Sequence, residues 1–356
     1  MPALRVAEFY SGIGGMHFAL KSALGEGQVV CAFDINDLAN RVYRHNFPSV
    51  KVMQRNIEAL PKSLFEALRA DLWTMSPPCQ PYTRQGKQQG SHDPRSKSFS
   101  FLLDLLPTLT NKPQHILIEN VAGFERSDTR SILVQRLAEL GYKYEEFLIN
   151  PLQIGYPNSR TRYYLLAKLL DGPALPAVGN VIAKACETQF RHTIPDLDYM
   201  ALPVIDPVDG LVNFERSAWD EKHVRPIQDY LEPDFDLTSE HGSKYRIDHD
   251  LLEKRGWVFD VVTPQSRRSC CFTKSYHKYA EGTGSVLQFR GEAKPGAQTI
   301  DNTRYFTERE VARLMGFPDE FQFPSSVTLQ QRYRLLGNSL NVAVVAHLMA
   351  YLVNRM

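Results

Sequence analysis

The 356-residue chain carries 41 Lys and Arg against 40 Asp and Glu, so any nucleic-acid partner must be held by a local basic surface rather than by overall charge. Its length allows one large domain or two. The five cysteines (Cys31, Cys79, Cys186, Cys270, Cys271) are odd in number and lack CxxC spacing, which argues against a disulfide framework or a metal site and for a reducing compartment, cytoplasm or nucleus.

The amino terminus, MPALRVAEFYSG, has no basic segment followed by an apolar run, and no signal peptide is expected. Residues 5–10 read as a short buried strand. Ser11-Gly12-Ile13-Gly14-Gly15 follows, and then Met16, Ala19, Leu20, Ala23 and Leu24 recur at helical spacing. Residues 28–35 form a second strand, ending in Asp34 and Ile35. Strand, Gly-rich turn, helix, strand, acid is the order of a nucleotide-binding βαβ unit. The glycines fit neither GxGxxG nor a P-loop, so a dinucleotide is disfavoured, while an adenosine-bearing ligand such as S-adenosylmethionine stays open. A tight turn in any α/β protein would look the same.

Residues 39–46 read as helix and 50–54 as a third strand, with Asn56-Ile57-Glu58 in the loop after it. Ile57 could cover an adenine ring and Glu58 flank it, or both could belong to an ordinary connection. Residues 71–76 are a fourth, apolar strand, delivering Ser76 to a rigid turn made by Pro77, Pro78 and Pro81. Cys79 sits in that turn. It is a candidate nucleophile, because cysteine attacks as thiolate and needs little activation, or else a small apolar residue in a Pro-rich bend.

Residues 85–100 are polar and basic and read as a mobile loop beside Cys79. A helix over 101–109 and a strand over 114–119 follow; the strand ends in Glu119, and an acid at the end of a buried strand needs a partner or a task. Residues 130–140 form an amphipathic helix, and 144–151 and 163–168 a hairpin-like pair of strands. Arg160 and Arg162, on alternate residues at the second strand's start, point to opposite faces.

Composition shifts near residue 171. Residues 172–300 are rich in Pro, Asp, Tyr and Arg and read as a smaller, loop-rich domain whose basic and aromatic residues (Lys254, Arg255, Trp257, Lys278 and Tyr279 among them) suit phosphate contacts and base stacking, or a solvated surface. Thr307-x-x-Glu310 opens a helix as a capping box, and Leu336-Gly337-Asn338-Ser339-Leu340-Asn341 introduces a closing helix over 342–353 that must pack on the main sheet. Its apolar run, broken by Asn341 and His347, is too short for a membrane span.

In order and wording, FYSGIGG, SPPCQPYTRQG, ENV, the arginine pair, RLMGFPDEF and GNSLNV resemble the cytosine-5 methyltransferases. Within them, PPCQPYTR and a short variable region holding Cys271-Phe272-Thr273 resemble the second DNA-methyltransferase-like family, whose members methylate a cytosine in the anticodon loop of tRNA-Asp. The resemblance implies an α/β fold with a doubly wound, mostly parallel sheet, a catalytic domain over 1–175, a target-recognition domain over 176–300, and a segment over 301–356 completing the first. It implies S-adenosylmethionine as cofactor, no metal, and a monomer that binds the tRNA anticodon stem-loop and DNA weakly.

Carried over residue by residue, Cys79 matches the nucleophile, Glu119 the base-gripping glutamate, and Arg160 and Arg162 the arginine pair. Phe9, Ser11, Gly12, Ile13, Gly14, Gly15, Asp34, Ile35, Ile57, Glu58, Ser76, Asn338 and Ser339 fall where the family binds its cofactor. Gln80, Arg84, Lys87, Cys271, Phe272 and Thr273 are the expected tRNA contacts. Asn158 and Asn56 stand where the family usually has a glutamine and an acid. A DNA methyltransferase with the same mechanism, or a catalytically silent RNA-binding protein, are the rival readings.

Overall fold

The computed structural model describes residues 3–25, 27–78, 97–170, 190–195, 197, 221–289 and 302–356. Cys79, Gln80, Arg84 and Lys87 lie outside the described residues.

Seven strands form the main sheet: β1 (Leu4–Phe9), β2 (Gly27–Phe33), β3 (Val52–Met53), β4 (Leu72–Met75), β5 (His115–Val121), β6 (Tyr142–Ile149) and β7 (Arg162–Leu169). Their order is β3-β2-β1-β4-β5-β7-β6. The first five run parallel, whereas β7 is antiparallel to both β5 and β6. The sheet reverses its winding between β1 and β4, and loops at the carboxyl ends of strands flanking such a point form a crevice. Register aligns those ends: Phe9 lies opposite Phe33 and Met75, and Met75 opposite Ile118. Tyr10, Asp34, Ser76 and Glu119 therefore leave the sheet along one edge.

Helices α1 (Gly15–Leu24), α2 (Asp37–Asn46), α3 (Lys62–Leu68), α4 (Lys97–Leu105) and α5 (Asp128–Glu139) connect the strands. Helix α3 was not expected. Helix α4 begins at Lys97, so the expected loop gives way to helix before residue 100; residues 85–96 lie outside the described set. The core beside the sheet is aromatic. Phe9 stacks on Phe33 at 5.0 Å and meets Trp73 edge-on at 5.0 Å, with Phe65 behind them. Such pairs add to the burial of apolar area itself.

Compactness divides the chain into two units: residues 1–149, 161–203 and 344–356, and residues 150–160 and 204–343. The smaller unit thus takes in 150–160 and 301–343, which the sequence-based boundaries assigned elsewhere. It holds a three-stranded sheet, β8 (Asp260–Val262), β9 (Ser285–Gln288) and β10 (Thr303–Arg304), in the order β10-β9-β8. Helices α6 (His249–Arg255), α7 (Glu308–Leu314) and α8 (Leu329–Gly337) accompany it. The capping box at Thr307 and Glu310 forms as read, and Thr328 with Gln331 makes a second one, opening α8.

The closing helix, α9 (Val342–Asn354), packs on the main sheet: the Tyr351 hydroxyl donates to Glu145 on β6 at 3.1 Å, and its ring meets Phe147 at 6.3 Å. An 18-residue window within Leu329–Asn354 has a mean hydropathy of 1.5, and more than half of that window is buried in the protein.

Candidate active site

The first part of the site is the turn after β1. Tyr10, Gly12 and Gly14 all have positive φ (57°, 53° and 90°), so the chain coils tightly, and the Gly14 amide closes the turn on the Ser11 carbonyl at 2.9 Å. Gly14 also has no room for a side chain: a Cβ there would lie 2.6 Å from Cε2 of Phe47. Tyr10 adopts the left-handed conformation without being glycine, a costly choice held by its hydroxyl donating to Ser98 at 3.0 Å.

Helix α1 starts at the end of this turn with no side-chain cap and no acidic residue in its first turn. Of its first-turn amides, that of His17 bonds to the buried Glu8 carboxyl. The Ser11 amide donates to the Phe33 carbonyl at 3.0 Å, while the buried hydroxyls of Ser11 and Ser76 find no partner among the described residues. Unfilled hydroxyls on either side of a glycine cradle fit a polar, adenosine-bearing cofactor.

Asp34 fixes the turn to the end of β2. One carboxylate oxygen accepts from the Gly12 amide and the other from the Asn36 amide, both at 2.8 Å. Burial pushes its pKa up, opposed by those amides. Next to it Ile35 is 67% exposed, an unusual place for an isoleucine and a ready cover for a flat ring.

Several residues expected at the cofactor lie deep in the fold. The side chains of Phe9, Ile13 and Ile57 are buried, those of Phe9 and Ile57 in the core beside the sheet. Glu58 is exposed at the start of a short helical turn, and Gly15 opens α1.

Beneath the turn lies a group that sequence reading missed. Glu8, on β1, is fully buried and accepts a hydrogen bond from the Tyr43 hydroxyl at 2.8 Å. That hydroxyl also lies 2.9 Å from Nδ1 of His17, whose ring stacks on Phe47 at 3.7 Å. Burial raises Glu8 to about 8, despite the donation from Tyr43. The same desolvation lowers His17 to about 4. The network joins β1, α1 and α2 under the glycines. A glutamate between Ala7 and Phe9 in a buried strand end was its visible signal.

The second part is the edge shared by β4, β5 and β7. Antiparallel pairing sets Arg162 opposite Val121, and Arg162 Nε lies 3.6 Å from Glu119 Oε1. Glu119 is almost buried. The next residue, Asn120, donates from its side chain to the Pro77 carbonyl at 3.4 Å, anchoring the turn that leads to Cys79. A carboxyl and a guanidinium side by side at a sheet edge offer a planar row of hydrogen-bonding positions, the form needed to grip the edge of a heteroaromatic ring.

Arg160 belongs to the smaller unit. Its guanidinium donates to Cys271 Sγ at 3.1 Å and to the Phe272 carbonyl at 3.2 Å, and also to the carbonyls of Gly337 (3.2 Å) and Ser339. Phe272 is buried, edge-on to Tyr276 at 5.0 Å and to Phe306 at 5.5 Å, so its ring is closed to a base and supports the segment from within. Cys271, Thr273 and Ser339 are half-buried and Asn338 is exposed. Asn158 donates to Ser269 at 3.2 Å and to the Cys270 carbonyl at 3.0 Å, which gives it a local structural role.

Comparison with known proteins decides the chemistry. The model of the C-5 cytosine-specific DNA methylase family matches residues 4–354. The chain belongs to that family. Its members transfer a methyl group from S-adenosylmethionine to C5 of cytosine, and the chain is such a methyltransferase. It is 40% identical to a human tRNA (cytosine(38)-C(5))-methyltransferase, covering 99% of this chain and 100% of the relative. A Dictyostelium discoideum relative named DNA (cytosine-5)-methyltransferase is 39% identical over 99% of this chain and 95% of its own length. Among solved structures, that of the Schizosaccharomyces pombe Dnmt2 methyltransferase superposes with a TM-score of 0.77 at 37% identity, covering 99% of this chain and 98% of the other.

Proposed function

We propose that the protein methylates C5 of a cytosine in the anticodon loop of tRNA, with tRNA-Asp as substrate, through a covalent bond between Cys79 and C6 of the base. The observation that carries the substrate is the end-to-end 40% identity to enzymes named for cytosine 38 of tRNA. Single-stranded loops are where RNA bases are most readily splayed out and read, and a base that must enter a pocket leaves its stack most cheaply there.

The chemistry explains the residues. C5 of cytosine is a weak nucleophile. Addition of the Cys79 thiolate to C6 converts the ring to an enamine whose C5 can attack an electrophilic carbon. S-adenosylmethionine, when bound, supplies that carbon as a methyl on sulfonium sulfur. Glu119, when protonated, donates to N3 as the thiolate adds and so distinguishes cytosine from uracil. Arg162 holds Glu119 in place and meets the O2 edge. Loss of the C5 proton to a base then lets the sulfur leave and restores the aromatic ring. The cradle of Ser11, Gly12, Gly14 and Gly15, with Asp34, Ile35, Glu58, Ser76, Asn338 and Ser339, is assigned to the cofactor. Gln80, Arg84, Lys87, Cys271 and Thr273 are assigned to the RNA. Trp257, 78% exposed and preceded by Lys254 and Arg255, suits base stacking beside phosphate contacts.

DNA as substrate has in its favour the name of the matching family and the 39% identical Dictyostelium relative. Incubation with labelled S-adenosylmethionine and either tRNA or duplex DNA separates the two readings, and label entering DNA alone rejects ours. The covalent step is tested with RNA containing 5-fluorocytosine. Wild-type protein is expected to form a denaturant-resistant adduct and Cys79→Ala none. An adduct that survives in the variant rejects Cys79 as the nucleophile.

A further inference from the structure

The strongest feature left over is the buried cation at Arg160. It is 4% exposed, and the planar fork spreads across two separate backbone segments of the smaller unit. One arm, Nη1, holds Cys271 Sγ and the Phe272 carbonyl; the other, Nη2, holds the carbonyls of Gly337 and Ser339. The two segments also touch directly. A Cβ at Gly337 would lie 2.1 Å from the Lys274 nitrogen and 2.2 Å from the Thr273 carbonyl carbon. No side chain separates the backbones, so neither can shift without moving the other or breaking hydrogen bonds to a buried charge. Lysine could not replace the staple, because a single ammonium does not span four acceptors set in two directions.

Each segment has exposed or half-exposed residues beyond the staple. Thr273 and Lys274 stand at one end, and Asn338 and Ser339 at the other. In the reading above, on which this inference rests, the first pair lies on the RNA side and the second on the cofactor side. We propose that Arg160 is a positioning residue that couples the two: RNA held at residues 271–274 fixes residues 337–339 in their cofactor-binding form, so that tRNA and S-adenosylmethionine bind cooperatively. Coupling between two ligands is reciprocal, so the cofactor tightens RNA binding by the same factor.

The test measures the dissociation constant of S-adenosylhomocysteine by calorimetry on the full-length protein, with and without saturating tRNA-Asp transcript. Thermal melts report folding. Wild type is expected to bind about 10-fold more tightly with tRNA, within the ordinary range for coupled sites. Arg160→Lys is expected to bind each ligand alone within about threefold of wild type, with the tightening reduced to about onefold. Gly337→Ala, which forces the two backbones apart, is expected to weaken S-adenosylhomocysteine alone and to abolish its tightening by tRNA, and decides the matter if Arg160→Lys does not fold. Wild-type affinity that ignores tRNA overturns the proposal, as does coupling that survives in the folded variants. If wild-type protein methylates duplex DNA and not tRNA, the substrate reading has failed, and the same cycle with that DNA judges the staple separately.

Discussion

Glu8 makes a prediction in which structure fixes both sign and size. Its carboxyl is expected to titrate near 4.5 in the unfolded chain and at about 8 in the folded one, because burial disfavours the charged form. A folded pKa above the unfolded value gives stability that is complete below pH 4.5 and is lost as pH rises through 8. At 1.36 kcal/mol per unit, the loss between pH 5 and pH 8 is about 3 to 4 kcal/mol and levels off near pH 9. Glu8→Gln keeps the acceptor for the Tyr43 hydroxyl and cannot ionise. The difference in unfolding free energy between the two proteins, from urea titrations at pH 5, 6.5 and 8, should therefore move by about 3 to 4 kcal/mol in favour of the variant as pH rises. His17 acts in the opposite direction: lowered to about 4, it costs stability as pH falls below 6.5. That cost is common to both proteins and cancels in the difference. A difference that stays flat from pH 5 to pH 8 would refute the reasoning, since it would mean that Glu8 carries the same charge folded and unfolded.

Two further perturbations test the cradle and the second unit. Gly14→Ala must adopt φ near +90° and push a methyl against Phe47; about 2 kcal/mol of stability should be lost and S-adenosylhomocysteine should bind at least roughly 10-fold more weakly by calorimetry, wild-type affinity being the contrary result. In the smaller unit Arg304 and Glu310 form a buried bidentate pair, both contacts at 2.7 Å, with Glu310 also closing the capping box of α7. Glu310→Gln leaves the guanidinium buried and unpaired and should cost about 3 to 5 kcal/mol in urea unfolding, and Arg304→Met/Glu310→Gln less than the sum of the single changes; additive costs would deny that the two act as a pair.

Much of the fold and part of the site can be read along the chain, for identifiable physical reasons. Periodicity and punctuation exposed the five parallel strands, the late antiparallel pair and the helix at Thr307, because each signal is local. The glycine turn, Asp34 and Glu119 were legible because a strand end can be found from the strand alone. Helix α3 was missed although Pro61 precedes it, since seven residues carry too little period to stand out. Helix α8 was missed although Thr328-x-x-Gln331 has the same form as the box at Thr307. What stayed hidden depends on pairings distant in sequence. Nothing near Arg130 announces that Glu146 and the Tyr163 hydroxyl will close a buried cluster with it, nor does anything near Glu8 announce Tyr43.

The arginine pair shows the limit most clearly. Two residues apart, Arg160 and Arg162 read as one motif with one task. The strand begins only at Arg162, so alternation along a strand does not govern Arg160. Arg162 turns to Glu119, whereas Arg160 closes on carbonyls more than a hundred residues away. A motif records which residues are retained together, but the acceptors that surround each one decide whether it meets the substrate or holds the parts that do.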